Sequence, residues 1–131
     1  MKNERGITLV ELLTVIILIS IISIFLFSVL TSGVTNVKRT STKQKLQQEG
    51  HYITEVIRNE YLESGIVSID LVVDNTKKQL SMNGIIISTD YTYELIDPSV
   101  KFEGNGPFHL LLILKENGLS YEINTTFTKL K

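Results

Sequence analysis

A long apolar run without a single charged side chain lies near the start of this 131-residue chain. It extends from Leu12 to Leu30, and 15 of its 19 residues are Leu, Ile, Val or Phe. At a rise of about 1.5 Å per residue, a helix over residues 7–30 would be about 36 Å long, slightly more than the ~30 Å hydrocarbon core of a bilayer. Each of these apolar side chains favours insertion by roughly 0.3–0.6 kcal/mol. The sequence therefore predicts a membrane-spanning helix over 7–30.

The polar residues inside this run are compatible with lipid. Hydroxyl groups of serine and threonine can donate to backbone carbonyls one helical turn back, so they need no water. We expect this bond for Thr14, Ser20, Ser23 and Ser28.

A cleaved secretory signal is an alternative interpretation of the same region. Lys2 and Arg5 precede the apolar run, and the small residues Thr31, Ser32 and Gly33 follow it. The apolar core of a secretory signal is usually only about 7–15 residues long. The length of this run therefore favours a permanent membrane segment.

The residues before the run carry a more specific pattern. A short charged leader, MKNER, is followed by Gly6, Ile7, Thr8, and then Glu11 as the one carboxylate of the apolar helix. This pattern resembles the class III signal of type IV prepilins and type II secretion pseudopilins, in which a glycine, an apolar residue, a threonine and a glutamate occupy the same offsets. The resemblance covers residues 1–30.

The resemblance implies a processing and assembly pathway. A prepilin peptidase would cleave between Gly6 and Ile7, and Ile7 would then be N-methylated. Glu11 would pair with the α-amino group of Ile7 in a neighbouring pilin subunit, since a buried carboxylate needs a cation. Without that pathway, Gly6 is a flexible residue at a helix start, and Glu11 is a carboxylate that reaches water at the membrane surface.

Two features depart from the family pattern or from a simple topology. Many members have a proline where this chain has Ser28, so a proline kink is not expected. The distribution of basic residues also favours a cytoplasmic C-terminal part, whereas the resemblance implies a cytoplasmic N-terminus and an extracytoplasmic C-terminal domain; we follow the resemblance. Two basic residues precede the span and four follow it: Lys2 and Arg5, then Lys38, Arg39, Lys43 and Lys45.

An amphipathic helix is predicted to continue over residues 31–64. Apolar residues recur there largely at intervals of 3, 4 or 7, and Gly33 and Gly50 are expected to interrupt the helix, with Gly33 the preferred bend. The basic segment 38–45 is typical of a nucleic-acid or lipid-headgroup patch, or of a solvated helix beside anionic lipids. The solvated helix is the preferred interpretation, and no direct nucleic-acid binding is predicted.

From residue 65 the period changes to that of β-strands. The run 110–114 is apolar enough to be a central strand, although an exposed binding ridge has the same composition. The predicted fold is therefore α+β and pilin-like: a long N-terminal helix, membrane-spanning in its first half, packed through residues 46–62 on a small antiparallel meander. Strands are predicted at 66–73, 79–82, 85–88, 91–96, 100–103, 108–114 and 119–128, with turns at Ser64-Gly65, Asn83-Gly84, Asp97-Pro98-Ser99 and Glu116-Asn117-Gly118.

The sequence contains no recognisable catalytic set. There is no cysteine, the formal net charge is −1, and the two histidines, His51 and His109, are isolated. The triplet Asn124-Thr125-Thr126 fits a glycosylation acceptor, which is a weak signal. We expect neither a cofactor nor an enzymatic activity.

The predicted domains are a leader (1–6), a membrane or filament-core helix (7–30), its amphipathic continuation (31–64) and a β domain (65–131). The predicted function is that of a minor pilin or pseudopilin subunit of a type IV pilus, a competence system for DNA uptake or a type II secretion system. Its partners would be prepilin peptidase, other pilin subunits and the assembly machinery of the membrane. The alternatives are a single-pass anchored extracytoplasmic binding protein that does not polymerise, and a secreted soluble factor.

Overall fold

A computed structural model describes residues 8–63, 67–95, 99–104 and 106–129. The chain divides between Lys38 and Arg39 into two compact units, and all the strands belong to the second unit. The elements of the described ranges are α1 (Leu9–Glu63), β1 (Val67–Asp74), β2 (Gln79–Met82), β3 (Ile85–Thr89), β4 (Thr92–Leu95), β5 (Ser99–Gly104), β6 (Phe108–Glu116) and β7 (Leu119–Phe127).

The strands confirm the predicted change of period, and their bounds differ from the predicted ones by two residues at most. Two hairpins have two-residue turns: the turn at Asn83-Gly84 is confirmed, and the turn predicted over Glu116-Asn117-Gly118 is one residue shorter because Glu116 is the last residue of β6 and pairs with Leu119. Asn83 and Gly84 have φ values of 52° and 80°, and Asn117 and Gly118 have 51° and 75°, as type I′ turns require. The turns predicted at Ser64-Gly65 and Asp97-Pro98 lie outside the described residues.

The seven strands form two antiparallel sheets, in the orders β3-β2-β1-β5 and β4-β6-β7. The α+β class is confirmed, but the single meander is wrong. β4 follows β3 in sequence and yet pairs with β6, while β5 returns to pair with β1. Strand periodicity reports which face of a strand is buried and not which strand lies beside it, so these long-range pairings were not predictable.

Helix α1 supplies one face of the core in the second unit. Leu46, Gly50, Ile53, Ile57 and Tyr61 are buried and lie three or four residues apart, so they share one side of the helix. The ring of Tyr61 lies 6.1 Å from that of Phe102 in β5 and 5.9 Å from that of Phe127 in β7, measured between centroids. The helix therefore packs on both sheets, and each buried Leu or Ile contributes about 1.5–3 kcal/mol.

The predicted interruptions of the helix are wrong, because α1 continues through both Gly33 and Gly50. The central-strand prediction for 110–114 is confirmed: β6 lies between β4 and β7. Its side chains alternate, with Phe108, Leu110, Leu112 and Leu114 buried in the core.

Candidate processing and assembly site

The first residues of the candidate site, Gly6 and Ile7, lie outside the described part of the chain. The predicted cleavage and N-methylation therefore stay predictions. The described part of the chain begins at Thr8, one residue before α1, and it contains Glu11, the remaining residue of the candidate site.

Thr8 and Glu11 form a reciprocal set of hydrogen bonds at the start of α1. The backbone N–H and the hydroxyl of Thr8 donate to Oε2 of Glu11, at 3.0 and 3.1 Å. The backbone N–H of Glu11 donates to the hydroxyl oxygen of Thr8 at 3.3 Å. This is a capping box, in which the side chains satisfy backbone donors that the first helical turn leaves without partners.

The capping box gives Glu11 a local role that our interpretation of the sequence missed. The spacing Thr-x-x-Glu immediately before an apolar run was the available signal. In the described residues only the Oε2 atom of Glu11 accepts hydrogen bonds, so Oε1 is open to a further donor. A carboxylate held in this way at a helix N-terminus can accept a cation without having to reorient.

The apolar surface of the first unit is uncovered. Every large hydrophobic side chain from Leu9 to Leu30 is at least half exposed, from 50% for Val15 to 83% for Leu9. By length and composition, α1 can cross a membrane. Such a surface is stable only in lipid or against other apolar helices.

Several hydroxyl groups of this helix donate to the carbonyl four residues earlier. Thr14 donates to Val10 and Ser20 donates to Ile16, each at 2.8 Å, which confirms two of the four predicted bonds; within the described residues Ser23 and Ser28 form no such bond. Thr31 donates to the carbonyl of Phe27 at 2.9 Å. These hydroxyls need no partner from water, which suits a helix in an apolar medium.

The two histidines lie apart in the second unit. His51 is exposed on α1, and its ring lies 6.4 Å from that of Tyr121. Exposed His109, on β6, has Nε2 3.1 Å from Oδ1 of Asn124 on β7. Within the described ranges, no three acidic or histidine side chains are grouped so that they could hold a metal ion.

Comparison with known families identifies the N-terminal region. Residues 1–27 match the family model for the prokaryotic N-terminal methylation motif. No curated protein and no solved structure matches the chain significantly. The chain thus carries the prepilin-type signal of type IV pilins and pseudopilins.

The match and the helix agree on a class of protein. The motif includes the capping pair and most of the exposed apolar surface. Together they support a type IV pilin-like or pseudopilin-like protein that is anchored in the membrane by a single span. The motif also implies processing by prepilin peptidase and assembly with other pilins.

Proposed function

We propose that this chain is a minor structural subunit of a type IV pilus, a competence pilus or a type II secretion pseudopilus. The peptidase cleaves between Gly6 and Ile7, the new N-terminus is methylated, and the helix bundles with those of other subunits. The C-terminal unit lies on the extracytoplasmic side of the cytoplasmic membrane. The role is structural, so no catalytic group of the chain takes part.

The uncovered apolar surface of α1, next to the methylation motif, carries this proposal. In a lipid bilayer, helices gain little from the hydrophobic effect when they associate, because lipid tails are already apolar. Polar contacts must then set their register. The open Oε1 atom of Glu11 suits a cation such as the α-amino group of a neighbouring subunit's Ile7.

Mass spectrometry tests the processing step. The mature chain should lack the hexapeptide MKNERG and carry one additional methyl group at Ile7. The variant Gly6→Leu should keep the leader, because a side chain at this position obstructs access to the peptide bond. Mature chains that begin at Val34 would instead indicate a secretory signal.

Glu11→Gln tests the charge pair separately from the capping box. Glutamine also completes a capping box, so the helix should start at the same residue and insert normally. The negative charge is lost, and the α-amino group of the neighbouring Ile7 would lack its partner. We expect incorporation into filaments to fall on the order of tenfold or more, measured by immunoblotting of sheared filaments.

Two further variants complete this experiment. Glu11→Val removes the charge and the capping acceptor, and it should also be excluded from filaments. Ser20→Val makes the helix similarly more apolar without touching Glu11, and it should assemble nearly normally. If Glu11→Gln assembled as efficiently as the parent chain, the charge pair would be refuted and the anchored binding protein would be favoured.

A further inference from the structure

A cluster of unpaired positive charges lies on α1 beyond the apolar run. The side chains of Lys38, Arg39, Lys43 and Lys45 are exposed, and none of them forms an ion pair within the described residues. Elsewhere in the described ranges, four basic side chains form ion pairs with carboxylates: Arg58 with Glu55, Lys77 with Asp74, Lys101 with Asp70 and Lys115 with Glu94. The positive charge of the basic segment is therefore locally uncompensated.

The sequence on both sides keeps this charge isolated. No acidic residue occurs between Glu11 and Glu49, so the basic segment itself and the 26 residues before it contain no carboxylate. Beyond Lys45 the chain has 12 acidic and 7 basic residues. A short positive segment thus separates an apolar span from an acidic remainder.

The length of the apolar run fixes how far the basic segment lies from the bilayer. Residues 12–37 carry no charge, and 26 helical residues extend about 39 Å. The hydrocarbon core is about 30 Å thick, and the bilayer with both headgroup layers about 40–45 Å. When this uncharged stretch crosses the bilayer with Glu11 in one headgroup layer, Lys38 lies at the outer side of the other, about 12 Å beyond Leu30, and Arg39 to Lys45 follow within two helical turns.

The direction of the helix favours contact with that layer. Side chains on a helix tilt toward its N-terminus, which here is the side of the membrane span. Arg39 and Lys43 lie four residues apart and share a face, and their long side chains can extend back to headgroup phosphates. Attraction of basic residues to an anionic leaflet is significant within a Debye length of the surface.

We propose that the basic segment binds the anionic headgroups of the adjacent leaflet, with phosphatidylglycerol-type phosphates as its ligands. A nucleic acid carries the same phosphate charge. To bind the basic segment, however, a nucleic acid would have to approach an anionic bilayer on one side of it. On the other side lies the acidic remainder, which begins at Glu49, four residues after Lys45. The lipid is therefore the better partner. This interaction requires only the membrane span, so it holds whether or not the chain polymerises.

The test uses the full chain in lipid nanodiscs with trace spin-labelled lipids. Electron spin resonance measures how strongly labelled phosphatidylglycerol associates with the protein relative to labelled phosphatidylcholine. For the parent chain we expect a preference of about threefold or more at low salt, which high salt should remove. The variant Arg39→Gln/Lys43→Gln should reduce the preference to about half of the parent value or less.

The matched control is Lys77→Gln/Lys78→Gln, which removes two exposed positive charges from the turn after β1. It should keep the full lipid preference. An equal preference in the parent chain and in Arg39→Gln/Lys43→Gln would refute the proposal. So would binding of duplex DNA to the basic segment in pure phosphatidylcholine nanodiscs without any preference for phosphatidylglycerol.

Discussion

Gly50 is the one glycine of α1 on which a sheet packs closely. A Cβ atom at this position would lie 2.3 Å from Cε1 and 2.6 Å from Cδ1 of Tyr121, which is closer than carbon atoms can approach. A Cβ atom at Gly33 would meet nothing within 4 Å. The two glycines look alike in the sequence, but only Gly50 is required by packing.

We therefore predict different effects for the two alanine variants. Gly50→Ala gains about 1 kcal/mol of helix propensity but overpacks the ring of Tyr121, which costs about 1–3 kcal/mol, so unfolding should become easier by on the order of 1 kcal/mol. Gly33→Ala should leave the unfolding of the second unit unchanged. Urea denaturation of the full chain in detergent micelles measures both. A midpoint for Gly50→Ala equal to that of Gly33→Ala would contradict the close contact.

A buried chain of hydroxyl groups joins the helix to both sheets. The hydroxyl of Tyr93 in β4 lies 2.6 Å from that of Ser88 in β3, and Ser88 in turn donates a hydrogen bond to the carboxylate of Glu49 in α1. Ser88 thus gives its proton to Glu49, so the hydroxyl of Tyr93 is the donor in the other bond. Burial, with a further contribution from the charge of Glu49, raises the pKa of Tyr93 to about 12.

The raised pKa of Tyr93 predicts a loss of stability at high pH. In the unfolded chain the phenol ionises near pH 10, whereas in the folded chain it keeps its proton up to about pH 12. The unfolded state thus binds fewer protons in this window, so the free energy of unfolding falls as the pH rises through it and is unaffected below. Tyr93→Phe should make this decrease smaller, and the part that remains comes from Tyr91, whose pKa is also raised by burial.

The measurement is the urea midpoint as a function of pH, together with tyrosinate absorbance. The control is Tyr52→Phe, because the side chain of Tyr52 is 54% exposed on α1. That variant should keep both the decrease and the late-titrating tyrosine. A stability decrease and a late titration that were both unchanged in Tyr93→Phe would assign the effect to another residue.

At the scale of elements, the sequence determined the strands and the turns but not the sheets. The alternation in β6 and the Asn-Gly pairs act over a few residues, so they could be recognised directly. The pairing of β4 with β6 depends on contacts between residues that are far apart in the sequence. Asn75 shows why: its side-chain amide donates to the carbonyl of Tyr93 and accepts from the N–H of Tyr93, each at 2.9 Å, although 18 residues separate them.

Asn75 therefore ties the turn after β1 to the edge strand β4 of the other sheet. Asn75→Ala would leave both backbone groups of Tyr93 without these partners, and we expect a loss of about 1–3 kcal/mol in the free energy of unfolding. Asn124→Ala is the control. Asn124 is exposed and bonds only to an exposed histidine among the described residues, so the change should stay within about 0.5 kcal/mol. If Asn75→Ala and Asn124→Ala unfolded at the same urea concentration, the hydrogen bonds of Asn75 would not stabilise the contact between the two sheets.

The start of α1 was predictable in part. The spacing of the motif predicts roles for Gly6, Ile7 and Glu11, because hydrophobicity does not require a lone carboxylate at a fixed offset from a glycine, and these roles stay predictions. The capping box uses the same Glu11 together with Thr8, and its signal was present in the sequence as well. One carboxylate can thus satisfy both a local and an intermolecular requirement, and only a variant such as Glu11→Gln separates them.

At the scale of the whole molecule, orientation in the membrane is the property on which two sequence signals disagree. The four basic residues of the segment beyond the span outnumber Lys2 and Arg5 before it, which favours a cytoplasmic C-terminal unit. The resemblance to prepilins implies instead that the leader faces a cytoplasmic peptidase. Affinity of the basic segment for anionic headgroups is compatible with either side, so it does not decide the question.

We predict that the C-terminal unit is extracytoplasmic, and the absence of cysteine from the chain allows a direct test. Ser120 is exposed on β7, so Ser120→Cys should react with a membrane-impermeant maleimide in intact cells stripped of their outer layers. Lys2→Cys in the uncleaved Gly6→Leu background should react only after permeabilisation. The opposite pattern, with the cysteine at 120 protected and the one at 2 accessible, would show that the basic residues and not the motif determine the topology.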